Sequence, residues 1–123
     1  MDDLYKQLIL DRYKNPLNMG QIKDGIEVEE INALCGDKIK IWLKIDNKII
    51  IDAKFTGSGC ALSVAATDIL IDLIKGKKIK DVFAMSGSMI EKEMGVELSS
   101  TRKRCAYIGL EAIKKIKNSV SKL

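Results

Sequence analysis

The strongest constraint on the fold is an alternation of apolar and polar residues over positions 38–45. Lysines and a tryptophan occupy the even positions, and the odd positions hold Ile39, Ile41, Leu43 and Ile45. Successive side chains of a β-strand point to opposite faces, so this pattern predicts a strand with one face in the core. A strand needs hydrogen-bonded neighbours, and the fold must therefore contain a sheet.

A second alternating run follows after a short polar interruption at Asp46-Asn47. Such an interruption is typical of a tight turn, so the two runs predict an antiparallel hairpin. Ile50 is expected to be exposed, and the residues predicted to face the core in the second run are Ile49, Ile51, Ala53 and Phe55. A further strand region begins at about Val28.

Helical periodicity flanks the strand region on both sides. A first helix is predicted to start at Asp2 or Asp3 and to end before Pro16. Beyond Gly57-Ser58-Gly59, apolar residues recur at helical spacing until Gly76, at Leu62, Ala65, Ala66, Ile69, Leu70 and Leu73.

Two more helices are predicted towards the C-terminus, a short one over 79–84 and a final one over about 102–117. The apolar stripe of the final helix is Ala106, Leu110, Ile113 and Ile116. Residues 86–93 leave helix and loop both open. These elements together predict an α+β fold in which helices cover a small antiparallel sheet.

Size and composition limit the possible functions. The chain has 123 residues with 46% hydrophobic content, enough to close one core, so residues 1–123 are predicted to form a single domain. The net charge of +4 is spread along the chain and aromatic residues are few, which disfavours nucleic-acid binding. There is neither a leader-like N-terminus nor a membrane-length apolar run, so we expect a cytoplasmic protein that does not bind membranes.

The chain contains three cysteines and no histidine. Three thiols cannot all pair internally, and in a reducing compartment thiols are more often metal ligands, catalytic groups or core residues than disulfides. Because imidazole is absent, only thiolates and carboxylates are left for chemistry near neutral pH.

The cysteines fall where secondary structure is predicted to begin or end. Cys35 precedes a Gly-Asp turn that contains Asp37, Cys60 starts a helix, and Cys105 is expected to open the final helix, directly after the basic run 102–104. Taken singly, each has an ordinary explanation as a small core residue, a turn or a helix cap. Their common position outside the apolar stripes favours a shared site. The helix start should also favour the thiolate form of Cys60.

Four segments of the sequence resemble the NifU/IscU-type family of iron-sulfur cluster scaffolds, including its SufU branch. In family order they are Leu4-Tyr5 with Asp11–Pro16 (DRYKNP), Asn32–Asp37 (NALCGD), Gly57–Ser63 (GSGCALS) and Arg102–Ala106 (RKRCA). The resemblance covers nearly the whole chain. It implies an α+β fold with a three-stranded antiparallel sheet, of the type shared by the SufE and NifU proteins.

The resemblance also implies a site and a function. Its implied ligands for a transient 2Fe-2S cluster or for zinc are Cys35, Asp37, Cys60 and Cys105. The implied partners are a cysteine desulfurase as sulfur donor and recipient apo-proteins. Cys35 is our candidate sulfur acceptor, because the turn containing Gly36 exposes it. We expect a monomer or a weak homodimer.

The implied site carries an excess of negative charge. Three thiolates and a carboxylate outweigh the charge of Zn²⁺ or of a diferric cluster core. Arg102 and Arg104 are therefore predicted to balance part of this charge. A carboxylate binds a thiolate-rich site less firmly than a fourth thiolate would, so Asp37 is predicted to be the ligand that leaves.

The departures from the family leave two functions open. Arg104 stands where the IscU branch has a histidine, and Leu98–Arg102 replaces the chaperone-binding segment of that branch; the insertion typical of the SufU branch is missing. The first hypothesis is a scaffold, which is not an enzyme in the usual sense. The alternative is a SufU-like zinc-dependent sulfurtransferase, and a purely structural zinc site is a third possibility.

Overall fold

A computed structural model describes residues 2–33 and 36–117 of the chain. Along the chain these residues form α1 (Asp2–Lys14), β1 (Ile26–Asn32), β2 (Asp37–Asp46), β3 (Ile49–Ser58), α2 (Ala61–Ile74), α3 (Ile79–Phe83), α4 (Ser88–Met94), α5 (Ser100–Ala106) and α6 (Ile108–Lys114). The strands pair antiparallel in the order β1-β2-β3. The predicted α+β fold with a small antiparallel sheet is confirmed.

Helix α2 lies at the centre of the fold. Every residue from Leu62 to Ile71 is buried, because the sheet covers one side of the helix and α1, α4, α5 and α6 cover the others. A helix that is apolar nearly all round needs such complete cover. The sheet contributes its inner face to the same core, with Ile39, Ile41, Leu43 and Phe55 fully buried.

The hairpin between β2 and β3 forms as predicted, but its turn lies one residue later. Asp46 pairs with Ile49, and the two turn residues are Asn47 and Lys48, with φ angles of 51° and 66°. Positive φ at both central residues is the geometry of the two-residue turns that match the twist of the flanking strands.

The predicted burial at the start of β3 is wrong. Ile50 is fully buried, whereas Ile51 is 50% exposed. The cause is a β-bulge: Lys44 pairs with Asp52 and Ile45 pairs with Ile50, so Ile51 has no residue opposite it. One extra residue in a strand reverses the faces beyond it, and a period-two pattern contains no sign of where such a residue falls.

The predicted final helix begins earlier, at Ser100, and is divided at Tyr107 into α5 and α6. The Tyr107 hydroxyl donates a hydrogen bond to Glu91 of α4. Its ring lies so close to Gly87 that any β-carbon there would overlap it. These contacts hold the chain at the break. The predicted apolar stripe of the helix is nevertheless correct, because all of its residues are buried.

A buried carboxylate fixes the chain after α1. Asp68 of α2 is fully buried and accepts hydrogen bonds from the backbone N–H groups of Leu17 (3.2 Å) and Asn18 (2.9 Å). Arg12 binds the same carboxylate at 2.7 Å. Since Asn18 and Gly20 then pair with Phe55, this segment also covers the outer edge of β3.

Burial raises the pKa of Tyr107 from its ordinary value of 10.0 to about 12, and the hydrogen bond to Glu91 adds to the effect. The folded state therefore holds the phenol proton more tightly than the unfolded chain does. The resulting stabilisation is complete below about pH 10 and is lost as the pH rises through about 12.

We expect Tyr107→Phe to lower the free energy of unfolding by about 1–3 kcal/mol near neutral pH, because Glu91 loses a hydrogen-bond donor. Denaturant titrations of both proteins over a pH series measure the difference between them. This difference in the free energy of unfolding should shrink between about pH 10 and about pH 12. Lysines that titrate in the same pH range are common to both proteins, so their contribution cancels. A difference that stays constant over this range contradicts the role assigned to the hydrogen bond.

Candidate metal centre

Three side chains from distant parts of the sequence converge at one end of the sheet. One ligand atom from each of Asp37, Cys60 and Cys105 lies within 4.8 Å of the other two. Asp37 is the first residue of β2, Cys60 immediately precedes α2, and Cys105 is the last but one residue of α5. The structure thus brings together three of the four ligands that the sequence predicts.

Asp37 is fully buried, yet both oxygens of its carboxylate have hydrogen-bond donors. Oδ1 accepts from the backbone N–H of Cys60 at 2.9 Å, and Oδ2 accepts from the Ser63 hydroxyl at 2.6 Å. Burial of an ionised carboxylate is unfavourable unless such bonds replace its hydration. The start of β2 is therefore joined to the first turn of α2 through this one side chain.

Cys60 is the N-cap of α2 and the exposed member of the group. Its Sγ accepts from the backbone N–H of Ser63 at 3.4 Å and lies 3.8 Å from Oδ2 of Asp37. Cys60 therefore caps the first turn of α2 and holds its sulfur beside the Asp37 carboxylate at an exposed position.

Gly59 makes the close approach of these residues possible. Its φ is 133°, a backbone conformation that residues other than glycine rarely adopt. A β-carbon at this position would overlap the Asp37 carboxylate. A glycine is therefore needed here for two reasons: the backbone enters α2 at a positive φ, and the Asp37 carboxylate occupies the space of a β-carbon.

The sequence predicts that Cys105 opens a helix, and this is wrong. Cys105 is buried and lies in the last turn of α5. The error follows from the earlier start of the helix, at Ser100, and from its division at Tyr107, which the sequence did not predict. Ser99 is the true N-cap, accepting a hydrogen bond from the backbone N–H of Arg102. The break at Tyr107, two residues beyond Cys105, sets the end of α5.

The predicted roles of Cys35, Arg102 and Arg104 remain predictions. Cys35 lies outside the described residues. Both arginines are exposed. Arg104 lines a groove of about 290 Å³ between β1 and α6, together with Glu30 and Glu111 among others.

Ser63 is a residue of the site that the reasoning from sequence did not single out. It is fully buried, and its hydroxyl lies 2.6 Å from Asp37 Oδ2 and 3.1 Å from Cys60 Sγ. The available signal was its position three residues after the N-cap, where the backbone N–H meets the cap side chain. The contact with Asp37 depends on the tertiary fold and has no such signal.

The donor atoms fit a metal ion bound by thiolates. In a tetrahedral zinc site, a sulfur and an oxygen ligand lie about 3.5 Å apart. The 3.8 Å between Cys60 Sγ and Asp37 Oδ2 is close to this separation. Thiolate ligands suit zinc and iron-sulfur clusters alike, so the donor set indicates a metal site without selecting the metal.

Comparison with protein families and curated proteins places this geometry in context. The sequence model of the NifU-like N terminal domain matches residues 4–121. The zinc-dependent sulfurtransferase SufU of Bacillus subtilis is 36% identical, over 94% of this chain and 90% of its own length. The iron-sulfur cluster assembly scaffold protein IscU of Haemophilus influenzae is 33% identical, over 89% of this chain and 90% of its own length.

The alignment with SufU spans 132 positions, more than the 123 residues of this chain. The SufU protein therefore carries residues that have no counterpart here. This agrees with the absence of an insertion that separates the sequence from the SufU branch.

Solved structures show the same fold. A protein of the SUF system for iron-sulfur cluster assembly from Fervidobacterium islandicum superposes with a TM-score of 0.78 at 25% identity, covering 92% of this chain and 96% of its own. A NifU-like protein from Brucella abortus gives 0.76 at 16% identity, covering 98% and 96%, and supports the fold alone. Among the described helices, none has the length and apolar character needed to cross a membrane.

Gly59→Ala should weaken metal binding by about tenfold or more, because the new methyl group displaces the Asp37 carboxylate from the group of ligand atoms. Competition between the protein and a chromogenic chelator for zinc measures the affinity. Gly76→Ala is the matched control: φ is also positive there, at 86°, but a β-carbon meets nothing within 4 Å. Equal affinity losses in the two variants would mean that backbone strain, not contact with Asp37, is responsible.

Proposed function

Because this chain belongs to the NifU-like N-terminal domain family, we propose that it is an iron-sulfur cluster assembly scaffold. It accepts sulfur from a cysteine desulfurase, binds iron, and transfers the finished cluster to apo-proteins. The observation that carries the proposal is the convergence of Asp37, Cys60 and Cys105, two thiols and one carboxylate, at one end of the sheet.

The proposed ligands are Cys35, Asp37, Cys60 and Cys105. A 2Fe-2S cluster is the cargo of the site, and iron and sulfur are its substrates. Cys60 is exposed, so the site is open to a partner on at least one side. Cys35 is the proposed first acceptor of sulfur, on the ground of its place in a glycine-containing turn.

Asp37 is the proposed labile ligand. An oxygen donor is a weaker partner than thiolate for the soft metal centres that sulfur prefers. The backbone N–H of Cys60 already holds one of its oxygens in the described structure, so the carboxylate keeps a partner whether or not it binds metal. A scaffold requires such a ligand, because a site that never opens cannot release a cluster.

The proposed setting follows from the chemistry of the site. Thiolate ligands remain reduced in the cytoplasm, where we place the protein as a single domain that is a monomer or a weak homodimer. Its partners are the desulfurase and the recipient apo-proteins. Arg102 and Arg104 are proposed to offset part of the negative charge of the loaded site.

A zinc-dependent sulfurtransferase is the second candidate. It is favoured by the similarity to SufU of Bacillus subtilis and by Arg104, which precedes Cys105 where the IscU branch carries histidine. In this case a thiolate of the site attacks the outer sulfur of the desulfurase persulfide. A new persulfide forms on this chain, and the desulfurase cysteine leaves as a thiolate.

Anaerobic reconstitution with ferrous iron, cysteine, a thiol reductant and a cysteine desulfurase tests the two candidates. A scaffold should acquire visible cluster absorption, lose any zinc and pass the cluster to an apo-ferredoxin. A sulfurtransferase should retain zinc, show no chromophore and accelerate the desulfurase. If the chain neither acquires a cluster nor accelerates the desulfurase, both candidate functions are wrong.

We expect Asp37→Ala to lengthen the lifetime of the reconstituted cluster several-fold, because the ligand that leaves most readily is gone. Cys60→Ala and Cys105→Ala should prevent stable cluster formation. Decay of the visible absorption in the presence of a chelator measures the lifetime. Asp46→Ala, at the other end of β2 and exposed, is the matched control and should behave like the unmodified chain. If Asp37→Ala shortens the lifetime, the carboxylate stabilises the cluster and is not its labile ligand.

A further inference from the structure

The Ser63 hydroxyl occupies the space between two proposed metal ligands. It lies 2.6 Å from Asp37 Oδ2 and 3.1 Å from Cys60 Sγ, and the residue is fully buried. A serine hydroxyl has one proton to donate. Ser63 can therefore donate to the carboxylate or to the sulfur, but not fully to both.

The distances indicate that the Ser63 hydroxyl donates its hydrogen bond to the Asp37 carboxylate and not to the Cys60 sulfur. A separation of 2.6 Å is typical of a hydroxyl bonded to an ionised oxygen, and such charge-assisted bonds are about twice as strong as neutral ones. The backbone N–H of Ser63 already donates to Cys60 Sγ, so the sulfur has another donor within the same turn. Ser63 thus donates one hydrogen bond from its side chain to Asp37 and one from its backbone N–H to Cys60.

The strength of the Ser63–Asp37 bond depends on whether Asp37 binds metal. A carboxylate that shares its charge with a metal ion is a weaker hydrogen-bond acceptor than one that has left the metal. Oδ2 also lies 3.8 Å from Cys60 Sγ, a separation that suits a metal shared with Cys60. A group that binds one of two states more strongly shifts the equilibrium towards that state.

We propose that Ser63 is a positioning residue that binds the Asp37 carboxylate when it is off the metal and thereby speeds the release of metal or cluster. The proposal rests on the proposed function, since it concerns release from the same site. Without the hydroxyl, a carboxylate leaving the metal would be buried with one hydrogen bond fewer. That loss raises the cost of release and leaves the metal-bound state less affected.

Zinc provides a stable and redox-silent probe for the test. The zinc-loaded full chain and its Ser63→Ala variant are mixed with excess chromogenic chelator, and the rate of zinc release is followed by absorption. We expect release from Ser63→Ala to be about fivefold slower. Faster or unchanged release overturns the proposal, because the hydroxyl would then support the metal-bound ligand or contribute nothing.

Three further variants separate this role from a general structural one. In an Asp37→Ala background, Ser63→Ala should no longer slow release, because the carboxylate that it binds is missing. Ser63→Thr keeps a hydroxyl and should restore the original rate. Thr67→Val removes another fully buried hydroxyl one turn along α2, which bonds to the Ser63 carbonyl oxygen at 2.7 Å, and should leave the rate unchanged. A slowing by Ser63→Ala that persists without Asp37 contradicts the proposal.

Cobalt(II) supplies a spectroscopic readout of the ligands. Its visible absorption should be similar in the unmodified chain and in Ser63→Ala, because the set of ligating atoms is the same, and should change in Asp37→Ala. If the unmodified chain binds neither zinc nor cobalt and forms no cluster, the proposed function itself fails. If all variants bind metal and release it at one rate, only the role of Ser63 fails.

Discussion

The arrangement of the site depends on the burial of a single carboxylate. Asp37 has no exposure to solvent, so its oxygens require donors from the protein, and the first turn of α2 supplies them through the Cys60 backbone and the Ser63 side chain. Gly59 leaves the space in which the carboxylate lies. The same bonds that make burial of the charge tolerable hold β2 against α2 and place the Cys60 thiol beside the carboxylate.

The third member of the group comes from α5, which packs against α2. Cys105 lies in the last turn of α5, which ends at Tyr107, where the hydroxyl donates a hydrogen bond to Glu91 and the ring packs on Gly87. Asp68 has a comparable structural role for the chain after α1, which it binds to the central helix. The site is thus assembled from elements that are each held by buried polar contacts as well as by the apolar core.

The strands and the central helix were predictable because each carries its own periodic pattern. The alternation at 38–45 and the stripe from Leu62 to Leu73 reflect faces that must be buried whatever their partners are. The bulge that exposes Ile51 and the break at Tyr107 were not predictable. Both result from contacts with other elements, the pairing to β2 in the first case and the contact with Glu91 and Gly87 in the second.

The sequence by itself determined the chemistry that this protein can offer: thiolates and carboxylates but no imidazole, with the cysteines outside the apolar stripes. Only the tertiary structure decided that Asp37, Cys60 and Cys105 meet, that Cys60 is exposed while the other two are buried, and that Ser63 lies between two of them. The physical reason is the range of the interactions. A periodic pattern reports which face of one element is buried, whereas the distance between residues on different elements depends on how those elements pack.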